Sequence, residues 1–181
     1  MIKGVFSFLN NTKSPRVIAE AMKLYGTKEI IGIKHNPIIL NWAKELGQYV
    51  GIDYKADEVP WCGLFVGVCV FRAGFKPVNI CVRASEWSKF GVPSDMPSIG
   101  DILVFSRSGG GHVGFYVGEN KHYYYVLGGN QSNTVNIMSL EKKRLTHARR
   151  CKWKIAQPKS VRPFFVTESA IANIDISTNE A

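Results

Sequence analysis

From Trp61 to Ala73 the chain is apolar on every side, Arg72 apart, with no polar stripe to turn toward water. A helix of that composition has to be packed all round, so it belongs at the centre of a layered domain. Pro60 ends whatever precedes it through its fixed φ and missing N–H, and Gly74 is a natural C-terminal stop. Cys62 falls in the first turn of this helix. Unpaired N–H groups and the positive end of the helix dipole there favour a thiolate and a developing oxyanion. Of the other cysteines, Cys69 reads as a small core residue, and Cys81 and Cys151 have no local context. No C-x-x-C pair or zinc-ligand spacing occurs, and disulfides are not expected.

The elements before and after this helix differ in kind. Residues 1–13 read as irregular. Ser14 can cap a helix with Pro15 in its first position, and Val17, Ile18, Ala21, Met22 and Leu24 form its apolar face. Asn36-Pro37 repeats that start, with Ile39, Leu40, Ala43 and Leu46 facing inward. A short helix over Ala84 to Phe90 carries Trp87. Beyond Gly100 the pattern turns to strands, expected over Asp101–Phe105, Val113–Val117, His122–Leu127, Val135–Met138 and Arg150–Ala156. Helices followed by a mostly antiparallel sheet predict an α+β domain over residues 1–157. A loosely held tail is expected over 158–181.

At 181 residues, 45% apolar and 20% charged, the chain has the composition of a soluble globular protein that buries a real core. No run approaches the roughly 18 apolar residues of a membrane span. The first residues lack the pattern of a signal peptide, so synthesis in the cytoplasm and later release are expected. The net charge is +9, with Lys142, Lys143, Arg144, Arg149, Arg150, Lys152 and Lys154 close together. Such a face attracts polyanions, among them an anionic cell envelope, or simply keeps the protein soluble. Nucleic acid is the weaker partner class, because no zinc-finger, RNP-like or helix-turn-helix signature is present.

A second motif, Gly109-Gly110-Gly111-His112-Val113-Gly114, places a histidine at the start of a strand behind a glycine loop. A cysteine nucleophile needs a base within reach, and the base needs a polar group to fix its tautomer and ring plane. In chain order the candidates are Cys62, His112 and then Asn130 or Gln131, each at the end of a different element. Asn130 is the preferred orienting group and Gln131 the alternative. Asp57 and Glu58 could instead supply a cleft carboxylate, although exposed loop charge is the simpler reading. His35, His122 and His147 have no comparable surroundings.

Pro60-Trp61-Cys62-Gly63-Leu64-Phe65-Val66, Gly100-Asp101-Ile102-Leu103-Val104-Phe105, His112-Val113-Gly114-Phe115-Tyr116-Val117 and Leu127-Gly128-Gly129-Asn130-Gln131 together resemble the CHAP-type (cysteine, histidine-dependent amidohydrolase/peptidase) proteins of bacteria and phages. The upstream segments Gly32–Ile38 and Ala84–Trp87 add to the likeness, which runs from about Glu29 to Asn136. The resemblance implies a papain-like core and peptidoglycan hydrolysis by a monomer. It makes Cys62 the nucleophile and His112 the general base, with no metal or organic cofactor. Trp61, Trp87 and Gln131 would contact glycan or stem peptide, although aromatic core is the simpler role for at least one of the two tryptophans. Where many such enzymes carry an acidic residue after the histidine's strand, this chain has Gly-Gly-Asn-Gln. A phage endolysin, a tail-borne or interbacterial wall hydrolase, and a catalytically silent wall-binding module are the settings to separate.

Overall fold

The computed structural model describes residues 2–11, 14–153, 156, 157 and 159–167. Three α-helices precede a six-stranded sheet: α1 (Arg16–Lys23), α2 (Pro37–Leu46) and α3 (Cys62–Arg72), then β1 (Val92–Pro93), β2 (Ile102–Arg107), β3 (Gly110–Glu119), β4 (Tyr123–Gln131), β5 (Thr134–Glu141) and β6 (Leu145–Arg150). All pairings are antiparallel and the spatial order is β1-β6-β2-β3-β4-β5. The fold is therefore α+β, with helices and antiparallel sheet segregated along the chain. Among the described residues no helix is long and apolar enough to cross a membrane.

Helix α3 lies at the centre, as its composition requires. Cys62 through Val70 are all buried, with α1 and α2 on one side and β3 and β4 on the other. Phe65 meets Phe115 of β3 edge-on, and Trp42 of α2 packs against both Trp61 and Phe65. Glycine allows the closest approach. A Cβ on Gly63 would stand 2.3 Å from the Cys81 carbonyl oxygen, and one on Gly67 would stand 3.0 Å from the Cys81 sulfur. The Asn36 side chain caps α2 by accepting from the Ile38 N–H. At α1 the cap position belongs to Pro15 instead of Ser14, and no side chain caps it.

Several expectations need correction. Residues Gly4–Asn10 form a 3-10 helix whose Phe6 and Leu9 are buried, so the start of the chain is more ordered than its sequence indicates. The last strand is Leu145–Arg150, not Arg150–Ala156; Lys154 and Ile155 lie outside the described residues. A fork explains where it stops, because Arg150 grips the buried Asp101 carboxylate through Nε at 2.8 Å and Nη2 at 2.7 Å. Of the supposedly loose tail, Arg162 to Val166 is docked. Phe164 packs on Phe8, the Glu119 N–H donates to the Phe164 carbonyl, and the Val166 N–H donates to the Glu119 carbonyl. Pro158 and residues 168–181 lie outside the described residues.

The basic run is also less of a free face than its sequence indicates. Lys142 pairs with Glu119 and Lys143 with Glu141. Arg144 donates to the Ser106 carbonyl, Arg149 to the Phe90 carbonyl, and Arg150 to Asp101.

Asp57 is fully buried, so it is neither exposed loop charge nor a group lining a cleft. It accepts from the Ile30 N–H at 3.1 Å, the Asn36 N–H at 2.7 Å and His35 Nδ1 at 2.9 Å. Burial pushes its carboxyl up, but these hydrogen bonds outweigh burial and hold it below the ordinary 3.8. It ties the 30–36 loop to the turn that leads into Cys62. Asp57→Asn is expected to cost about 2–4 kcal/mol in urea unfolding at pH 7. Because the folded value is depressed, the gap between wild type and variant should narrow only as pH falls below 3.8.

Candidate active site

Cys62 opens α3 and borders a groove of about 790 Å³, whose other wall is the β2–β3 turn with Gly109, Gly110 and Gly111. The backbone N–H of Val113 is directed at the Cys62 sulfur, so the start of β3 and the start of α3 meet at the thiol. His112, the residue before Val113, is buried against the sheet at 1% exposure, with Cys62 at 4%. Burial pushes the Cys62 thiol above its ordinary 9.0. The Val113 N–H, the Arg107 charge and the N–H groups of Gly63 and Cys62 itself oppose that push without overcoming it. Burial thus works against the thiolate that the helix start favours.

The orienting group for His112 is Gln131. His112 Nε2 and Gln131 Oε1 are 3.0 Å apart. The Gln131 amide nitrogen donates to the Asn136 carbonyl at 2.8 Å, Asn136 Oδ1 at 2.8 Å and the Val126 carbonyl at 3.2 Å. Asn136 in return donates its own amide to the Gln131 carbonyl at 3.0 Å. With acceptors surrounding its nitrogen, the Gln131 amide has one orientation, and its oxygen must face the imidazole. An amide oxygen only accepts, so in neutral His112 the proton sits on Nε2 and the lone pair on Nδ1. This tautomer follows from the hydrogen-bond network.

Asn130 is displaced from the role by a bulge. The pairing Phe115↔Leu127, continued outward, would set Asn130 opposite His112. Instead the β4–β5 register shifts between Gly128 and Gln131, and Asn130 adopts φ +57°. A residue in the left-handed region at a bulge re-aims its neighbour, and here that neighbour is Gln131. The Asn130 Oδ1 is buried without a hydrogen-bond partner among the described residues. Asn136, which locks Gln131, has no motif around it; only the cross-strand pairing Gly128↔Asn136 puts it there.

Glycines make room for this arrangement. A Cβ on Gly128 would stand 2.6 Å from Gln131 Oε1 and 3.1 Å from His112 Nε2, and one on Gly129 would stand 2.6 Å from Phe65 Cβ. Trp61 and Trp87 are fully buried and cannot wall a groove. Trp61 Nε1 donates to Glu29 at 3.1 Å, and Trp87 Nε1 to the Cys81 carbonyl at 2.9 Å. Both are core residues that hold loops against α3. Gln131 is likewise completely buried, so it orients the imidazole and does not contact a ligand. Glu58 and His35 stand 3.3 Å apart beside Asp57. Asp57 is already occupied by the backbone of Ile30 and Asn36, which explains this cluster as a structural clasp.

A scan against protein-family models and a search of curated proteins found no match for this chain. Gly128→Ala should separate Gln131 from His112 and destabilise the protein by about 1–3 kcal/mol in denaturant titration. Iodoacetamide labelling of Cys62, followed by peptide mass spectrometry, should quicken as pH rises toward and past 9. A plateau below neutrality would reveal a resting thiolate instead.

Proposed function

We propose that the chain is a cysteine amidase or endopeptidase of the papain-like CHAP type that hydrolyses an amide in peptidoglycan. The observation that carries this reading is the His112–Gln131 pair, locked so that Nδ1 is the basic nitrogen, on the strand whose Val113 N–H is directed at the Cys62 sulfur. In the proposed reaction the Cys62 thiol passes its proton to His112 Nδ1 as the sulfur attacks the amide carbonyl. Because burial disfavours the free thiolate, the proposed reaction couples proton transfer to attack in one step. The N–H groups of Cys62 and Gly63 at the start of α3 stabilise the oxyanion. The imidazolium returns its proton to the leaving amine. Water, deprotonated by His112, then cleaves the thioester.

Gln131 orients the imidazolium as a neutral dipole, giving less charge stabilisation than a carboxylate and hence a slower enzyme. Peptidoglycan as substrate rests on the four motifs and on a net charge of +9, which suits an anionic wall. A phage endolysin is the setting we favour, acting on the wall after synthesis in the cytoplasm. The competing reading is a wall-binding module that retains the fold without turnover; the near-complete burial of His112 and the neutral Gln131 favour it.

Digestion of purified sacculi, read by mass spectrometry, separates the two. Wild type should release fragments whose masses name the bond, and Cys62→Ala should release none. Binding without cleavage by wild type on several wall chemotypes would establish the silent module. Within an active enzyme, Gln131→Leu should lower kcat on the order of 100-fold. Asn130→Gly, which suits the left-handed backbone, should change it by less than about threefold.

A further inference from the structure

The groove beside Cys62 has a one-sided charge. Arg83 and Arg107 line it together with His147, and among the described residues no aspartate or glutamate does. The acids nearest in sequence are engaged elsewhere, Glu58 with His35 and Glu86 with Lys89. Arg83 is exposed and enters no ion pair or side-chain hydrogen bond among the described residues. Its place is nevertheless fixed. Ile80 is held at φ +56°, a conformation a β-branched residue rarely adopts, and the Arg83 N–H closes the turn onto the Ile80 carbonyl at 3.0 Å. The Cys81 and Val82 carbonyls then press against Gly63, one residue beyond the nucleophile. The wall that carries Arg83 is thus packed directly on the start of α3. Ser85 and Ser88 add hydroxyls to the same wall.

We infer that this groove selects a peptide with a free carboxylate next to the scissile amide, with Arg83 as the residue that recognises it. The inference rests on the hydrolase reading above and narrows its substrate. A guanidinium meets a carboxylate through two parallel N–H···O bonds, which a neutral carboxamide cannot reproduce. With Arg107 on the β2 side and no competing acid in the lining, the preference is for an anionic substituent over a neutral one. Stem peptides supply such carboxylates, and their amidation removes the charge while leaving the backbone unchanged.

The test uses two muropeptide preparations identical except that the stem carboxylates are free in one and carboxamides in the other. Wild type and Arg83→Gln are compared on both by kcat and KM. Wild type should favour the free acid by about tenfold in kcat/KM, mainly through KM. Arg83→Gln should bring the two substrates within about twofold of each other, and Arg83→Lys should recover part of the preference. Equal cleavage of both substrates by wild type, or an undiminished preference in Arg83→Gln, would overturn the carboxylate inference and leave the hydrolase intact. Cleavage of neither by wild type would overturn the hydrolase reading beneath it.

Discussion

The hydrogen bond between His112 Nε2 and Gln131 Oε1 is the contact on which the site depends. A glutamine side chain can rotate its amide end for end, so alone it could not dictate a tautomer. Here Asn136 and the Val126 carbonyl fix the nitrogen end, and the oxygen is left for the imidazole. The strand pairing of β4 with β5 therefore sets the protonation pattern of a residue on β3. A neutral group achieves through geometry part of what a carboxylate would achieve through charge.

The thiol meets the start of β3 at the Val113 N–H, on a helix that is buried on all sides and cannot shift independently of its neighbours. Gly63 and Gly67 let the Cys81–Val82 backbone close on the helix, and Gly129 lets β4 close on Phe65. Asp57 and Trp61 tie the entry turn to the loop that precedes α2. The same packing has a chemical cost. Burial raises the thiol's pKa and so opposes the thiolate that a helix start favours.

Periodicity in the sequence is enough to locate α2, α3 and the four strands from β2 to β5, because each is a long apolar or alternating run. It also singles out Cys62 and His112, since a helix start and a strand start each carry a distinctive turn. It prefers Asn130 over the alternative Gln131 because a bulge is a one-residue change in register with no composition signal, and extending the regular ladder leads to Asn130. The family resemblance puts Trp61 and Trp87 in a groove, because an aromatic residue beside a candidate nucleophile reads the same whether it faces solvent or core. Asp57, Arg149 and Arg150 read as surface charge for a related reason. Their partners lie far along the chain, and a charge's partner cannot be read from its sequence neighbours.

The most direct test of this account is the tautomer of His112, read by nitrogen-15 NMR of histidine-labelled protein above the imidazole's titration. The account predicts a proton on Nε2 and a bare Nδ1 in wild type, with that preference lost in Gln131→Leu. A proton on Nδ1 with Gln131 in place would mean that the imidazole cannot accept the Cys62 proton as described, and the proposed mechanism would fall.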